Sequence, residues 1–110
     1  MTESEFNQCV DELLMRIEDA IEASGAAIDC EAAGGILTLG FEDDSQIIIN
    51  RQTPLQQIWV ASREGGFHFD YDEDSARWLL PDGETELFEA LSRFCSRQAG
   101  ETVSLKEDAA

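Results

Sequence analysis

QIIINRQTPLQQIWVASREGGFHFD, residues 46–70, is the stretch on which the fold turns. It reads as three strand-like segments, 46–50, 57–62 and 66–70, joined by two short connections. Ile47, Ile48 and Ile49 are β-branched in a row, which suits a pleated, well-packed strand better than a helix. Ile58, Trp59 and Val60 repeat that signal, and Gly65-Gly66 supplies the flexible backbone of a hairpin turn. Between the first two strands stands Pro54. It has no amide hydrogen and a fixed φ, so the chain must leave the sheet ladder there.

Upstream, Thr2 with Glu5 fits a reciprocal helix cap. Phe6, Val10, Leu13, Leu14, Ile17 and Ile21 then recur at three- and four-residue steps, filling a sector of about 80° on a helix. Asp11, Glu18 and Glu22 form a second stripe beside it, with Glu12 and Asp19 further round. Ser24-Gly25 ends the helix, Gly25 serving as a left-handed cap. In Ile28-Asp29-Cys30-Glu31 the alternation turns Ile28 and Cys30 inward and Asp29 and Glu31 outward. Gly34-Gly35 makes a turn, and Leu37, Leu39 and Phe41 face the core.

Downstream of Asp70, the acidic Asp72-Glu73-Asp74 connects to a short strand over residues 77–80, broken by Pro81-Asp82-Gly83. A last helix is predicted over 85–99, with Leu87, Phe88, Leu91, Phe94 and Cys95 on its apolar side and Gly100 just past its end. From Glu101 onward the chain reads as polar and frayed. The domain is assigned to residues 1–105 and a frayed tail to 106–110. The order helix, run of strands, helix predicts an α+β two-layer sandwich: an antiparallel sheet of about six strands, covered on one face by the N- and C-terminal helices.

With 24 acids against seven bases in 110 residues, the formal charge is −17. That forbids an electrostatic grip on nucleic acid or anionic lipid and points to a basic protein partner, to cations or to solubility alone. Residues 1–44 hold twelve acids and one base, a net of −11, so one side of the molecule is expected to be acidic. Three cysteines without a C-x-x-C spacing argue against a disulfide framework or a thiolate metal site. The opening residues lack the basic and apolar segments of a secretion signal, and no run reaches transmembrane length, which places the chain in the cytoplasm, away from membranes.

The only histidine, His68, shares a strand face with Asp70, and an ordinary surface histidine is the simpler reading. Asp70, Asp72 and Asp74 have the opening spacing of a calcium loop, but Ser75 and Pro81 stand where its glycine and bidentate glutamate belong. No Glu-x-x-His pair is present for a buried di-iron centre. Two surfaces remain. Asp11, Glu18, Asp19 and Glu22 on the first helix, with Asp29 and Glu31 on the adjoining strand, offer hard oxygen donors suited to iron, manganese, calcium or magnesium in weak, shared sites. A solvated helix face is the plainer alternative. On the sheet, Trp59 points away from the helices among Asn50 and Gln57, an interaction hot spot or a shield over the sheet.

Residues 50–62, with Asn50-Arg51-Gln52-Thr53-Pro54, Gln57-Ile58-Trp59 and Ala61-Ser62, closely resemble the central strand pair of the frataxins. Ser4-Glu5-Phe6, Ile28-Asp29-Cys30-Glu31, Gly34-Gly35, His68-Phe69-Asp70 and Gln98-Ala99-Gly100-Glu101 extend the likeness over nearly the whole chain, toward the bacterial branch. The resemblance implies a role in iron–sulfur cluster assembly: binding iron (Fe2+ or Fe3+) weakly, and docking on the cysteine desulfurase and the scaffold protein so as to regulate cluster formation. It implies an iron-binding ridge at Glu18, Asp19, Glu22, Asp29 and Glu31 with Glu42 nearby. It also implies partner contacts at Glu18, Asp19, Glu22, Asn50, Gln52 and Trp59, no catalytic residue, and a monomer in the absence of iron. One departure is that Ala23-Ser24-Gly25-Ala26-Ala27 stands where bacterial frataxins are often acidic, leaving fewer ridge carboxylates.

Three functions therefore compete: an iron-binding adaptor of cluster assembly, a surface-carboxylate ferroxidase or iron-storage protein, and an acidic decoy of a nucleic-acid-binding protein. Oxygen consumption with Fe2+, stoichiometric with protein and lost on carboxylate removal, separates the second, and competition with duplex DNA for a basic partner separates the third.

Overall fold

The structure, a computed structural model, describes residues 1–106. Helix α1 (Glu3–Ser24) is followed by strands β1 (Asp29–Ala33), β2 (Ile36–Gly40), β3 (Gln46–Gln52), β4 (Gln57–Ser62), β5 (Gly65–Asp72) and β6 (Arg77–Leu79), then helix α2 (Leu87–Ala99). The strands form one antiparallel sheet in the order β1-β2-β3-β4-β5-β6, with both helices on one face. This is the two-layer α+β sandwich that the element order predicts.

Local chemistry sets the ends of the elements. Thr2 and Glu5 close the reciprocal cap: the Thr2 hydroxyl accepts from the Glu5 amide at 3.1 Å, and the Glu5 carboxylate accepts from the Thr2 amide at 2.8 Å. Gly25 ends α1 at φ 71°, a left-handed conformation that glycine adopts without strain. Pro54 lies in a single 3-10 turn, Thr53–Leu55, so β3 runs two residues beyond the predicted segment before leaving the ladder. Helix α2 starts two residues later than predicted. Asp82 accepts from the amides of Glu84 and Thr85, holding that stretch as a turn, and Glu86 becomes the cap by accepting from the Phe88 amide at 2.9 Å.

The pleat sorts the sheet. Leu37, Leu39, Ile47, Ile49, Ile58, Val60 and Phe69 face the helices and are buried against Phe6, Val10, Leu13 and Ile17 of α1 and Leu87, Leu91 and Phe94 of α2. Phe67 stacks on Phe94 at 4.9 Å, and Trp78 lies edge-on to Phe6 and Tyr71. Gln98 is the buried polar side chain of this layer. Its amide accepts from the Arg63 backbone at 3.0 Å and donates to Ser45 Oγ and the Gln46 carbonyl, tying α2 to both ends of β3–β4.

Two expectations are corrected. All five residues of β1 are exposed, Cys30 included, although Cys30 pairs opposite buried Leu39; Ile28 precedes the strand and is half-buried. An edge strand has a neighbour on one side only, so the inward half of its alternation stays open. The stretch from Glu101 is not frayed: Val103 and Leu105 are buried, and their amides donate to Ser96 Oγ (2.8 Å) and Ser92 Oγ (2.9 Å) on α2. The tail assigned to 106–110 begins with an exposed Lys106, and from 107 on it lies outside the described residues.

Candidate docking and iron-binding surface

The acidic flank is built where α1 crosses the β1 edge of the sheet. Glu18 is half-buried on α1, while Asp19 and Glu22 are exposed. Glu18 and Asp29 meet at Cys30: partial burial raises the Cys30 pKa first, and the two carboxylates raise it further. The residue is accessible overall, yet its thiol ionises less readily than a free one, from burial first and from these carboxylates second. At the same end of β1, Asp29 and Glu42 line one concavity with Gly40 and Ala27. Glu31 pairs with Thr38, which pairs with Ile48, so the charge turns the corner from the helix layer onto the uncovered face of the sheet.

Asp11 does not belong to this flank as a free charge. Its carboxylate accepts from Arg51 Nη2 at 2.6 Å, and Arg51 Nη1 donates to Asn7 Oδ1 at 3.0 Å. Alternation past Ile47 and Ile49 sends Arg51 under α1, where its guanidinium also lies against Gly35. This clasp was not anticipated from sequence; its signal was the inward phase of position 51. Among the described residues, no group of three or more His, Cys, Asp or Glu side chains is arranged to hold a metal ion. The flank carboxylates stand singly or in pairs. Asp43, beside Glu42, is engaged: it accepts from Ser45 and Arg63, and these bonds depress its pKa well below the usual carboxylate range.

The uncovered face carries Asn50 and Gln52 on β3, Gln57, Trp59 and Ala61 on β4, and Gly66, His68 and Asp70 on β5, in cross-strand rows Asn50–Trp59–His68 and Gln52–Gln57–Asp70. Trp59 is 42% exposed and Ile48 38%. The Trp59 indole donates to Gln57 Oε1 at 2.9 Å, and Gln57 donates to Asp70 Oδ1 at 3.1 Å. Asn50 is half-buried, its side-chain oxygen accepting from the Arg51 amide at 2.9 Å. Gln52 is half-buried at the end of β3. Ile48, Asn50, Trp59, Ala61, Gly66 and His68 surround a shallow depression of about 400 Å³.

Two helices on a six-strand antiparallel meander, with an acidic helix-and-edge flank beside an uncovered face bearing an exposed tryptophan, define a frataxin-like sandwich. The family model described as Frataxin-like domain matches residues 1–101, and the chain belongs to the frataxin family. It is 48% identical over 103 residues to the iron-sulfur cluster assembly protein CyaY of Vibrio parahaemolyticus, spanning 94% of this chain and 97% of that one. It is 42% identical over 107 residues to the protein of the same name from Azotobacter vinelandii, spanning 97% of each. Among solved structures, frataxin from Psychromonas ingrahamii superposes with a TM-score of 0.87 at 42% identity, over 96% of this chain and 99% of that one. Yeast frataxin follows at 0.62 and 28%, over 89% and 80%. Among the described residues no helix is long and apolar enough to cross a membrane.

Proposed function

We propose that the protein acts in iron–sulfur cluster assembly as a non-enzymatic adaptor. It docks on the cysteine desulfurase and its scaffold through the acidic flank and the Trp59 face, carries iron weakly on the flank carboxylates, and so regulates cluster formation. The observation that carries this reading is the continuity of the two surfaces: charge on Glu18, Asp29 and Glu31 leads onto the sheet face where Trp59 is exposed. The relatives' shared name, iron-sulfur cluster assembly protein, supports the pathway.

The two surfaces divide the work. A net charge of −17 speeds encounter with a basic partner and makes the association salt-sensitive. An exposed indole on a rigid strand supplies the apolar contact that holds the complex once formed. Iron, as cargo, meets oxygen donors of the right hardness at Glu18, Asp19, Glu22, Asp29, Glu31 and Glu42. With no three of them converging among the described residues, water completes the coordination and exchange is easy. Such sites suit an iron donor or sensor, working as a monomer before iron loads. Three free thiols fit a reducing, cytoplasmic setting.

The test is charge reversal at Glu18, Asp19 and Glu22 to Lys, read by pull-down of desulfurase across a salt series. Binding lost in the variant, and weakened by salt in the wild type, is expected. Retention that is indifferent to both refutes the reading. A parallel NMR titration with Fe2+ should perturb flank residues and spare Trp59.

A further inference from the structure

The Trp59 indole has several places to lie on the open face. Across the strands its neighbours are Asn50 and His68; along β4 they are Gln57 on one side and Ala61 on the other, since residues two apart share a face. The structure selects Gln57, whose side-chain oxygen takes the indole N–H at 2.9 Å. An amide has two ends, and only one of them accepts. What turns the accepting end toward Trp59 is the bond at the other end, where the Gln57 amino group donates to Asp70 Oδ1 at 3.1 Å.

Among the described residues, no other side chain on this face takes that part. The Asn50 oxygen is engaged by the Arg51 amide, and Asp72, two residues beyond Asp70, caps its own turn through the amide and hydroxyl of Ser75. The direction of the indole decides what lies beside it. Drawn toward Gln57, it leaves Ala61 and its cross-strand partner Gly66 uncovered, and these form the floor of the depression bounded by Ile48, Trp59 and His68. Turned the other way, the ring would lie over that floor and fill it. Gly66 is not demanded by its backbone: its φ is not in the positive region, and a Cβ there would meet nothing within 4 Å. Its smallness does leave the floor low.

We propose that Asp70, acting through Gln57, positions the Trp59 indole and thereby keeps the depression beside it open, so that Asp70 and Gln57 are positioning residues of the docking surface. This rests on the docking reading above and deepens it. Because the indole N–H is already bonded within the protein, a partner meets the ring face and the Ala61–Gly66 floor with carbon, and a hydrogen-bond acceptor offered to the N–H has to displace Gln57. Fixing the ring before the encounter removes part of the ordering cost of association.

The experiment uses the 15N-labelled full chain, which has two indole N–H signals. Trp78, buried with no bonded partner for its N–H, is the internal reference, and Trp59→Phe assigns the pair. In Asp70→Ala and in Gln57→Ala the Trp59 proton signal is expected to move upfield and its motional order to fall, with the Trp78 signal and the melting temperature unchanged. Asp70→Asn keeps an accepting oxygen and should stay close to wild type. Affinity for the desulfurase–scaffold complex should drop about 2- to 10-fold in Asp70→Ala, the factor of a single hydrogen bond, with no further drop when Trp59 is already Ala. A Trp59 signal that stays put, or moves together with that of Trp78, overturns the proposal, as does a full additional loss in the Trp59→Ala background. Should the indole signal move while Trp59→Ala binds the complex like wild type, the docking reading falls and the positioning of the ring stands.

Discussion

Ile58 and Trp59 are bonded neighbours on β4, yet Ile58 has no exposed surface and Trp59 keeps 42% of its own. The pleat sends them to opposite sides of the sheet. On the side of Ile58, branched and aromatic carbon from β2 to β5 packs against two helices; the Gln98 amide and the Arg51 Nη atoms are held by hydrogen bonds, while Arg51 Nε and Trp78 Nε1 are buried without one. On the side of Trp59, no element among the described residues covers the sheet; Gln57, Trp59 and Asp70 bond to one another along the surface. This fold places its stability on one face of a single sheet and leaves Trp59 and Ile48 exposed on the other. Adjacent residues can then be changed with separate consequences.

The sharpest way to break that division is to truncate both neighbours. Ile58→Ala should cost about 2–5 kcal/mol of unfolding free energy, from lost burial and the cavity left behind. Trp59→Ala should stay within about 1 kcal/mol, as an exposed position, while losing affinity for the partner. Urea titrations of the two variants check this, and equal costs would end the comparison.

The helix side has a further layer in Val103 and Leu105. Shortening the chain after Thr102 should cost about 2–4 kcal/mol, the transfer value of two aliphatic side chains, about 3–6 kcal/mol, less the conformational entropy no longer spent on ordering them, measured as a fall in thermal midpoint. Arg51→Ala comes next, at about 1–3 kcal/mol, because it strips partners from Asn7 and Asp11. Asp11→Asn should cost about 1 kcal/mol or less, its carboxylate being 66% exposed and screened by water.

A further effect concerns pH. Burial first, and the nearby Cys30 second, push the Cys95 thiol from an ordinary 9.0 up to about 12. The folded chain holds this proton where the unfolded chain releases it. The contribution to stability is therefore full below pH 9.0, declines as the pH rises from there toward 12, and is gone above. Urea midpoints at pH 8 and pH 10 should fall further apart in wild type than in Cys95→Val. Alkylation of the native protein should reach exposed Cys30 before half-buried Cys9 and spare Cys95.

Much of this was legible in the chain. The Thr2–Glu5 cap, the glycine ends of both helices, the alternation of β2 to β4 and the outward phase of Trp59 are all written within a few residues of one another. What escaped depends on distance or on strand order. Arg51 finds its partners 44 and 40 residues away, and a lone arginine in a strand reads as surface. The exposure of β1 follows from its place at the sheet edge, which no local pattern encodes. Val103 and Leu105 alternate like a strand but pair with serine hydroxyls on a helix, so their burial becomes visible only once α2 is placed. The positions of the flank acids relative to one another likewise depend on how α1 crosses β1.

Because β1 to β6 follow one another across the sheet without a crossover, every pairing joins strands adjacent in sequence. Each hairpin closes a short loop at small entropic expense, and the sheet assembles as a local zipper. The distant steps are the landings of the two helices: α1 brings Phe6 to within 6.0 Å of Trp78, and α2 brings Gln98 onto Ser45 and Gln46 at the start of β3. The slow event of folding should therefore be the docking of the helices, with the meander already in place beneath them.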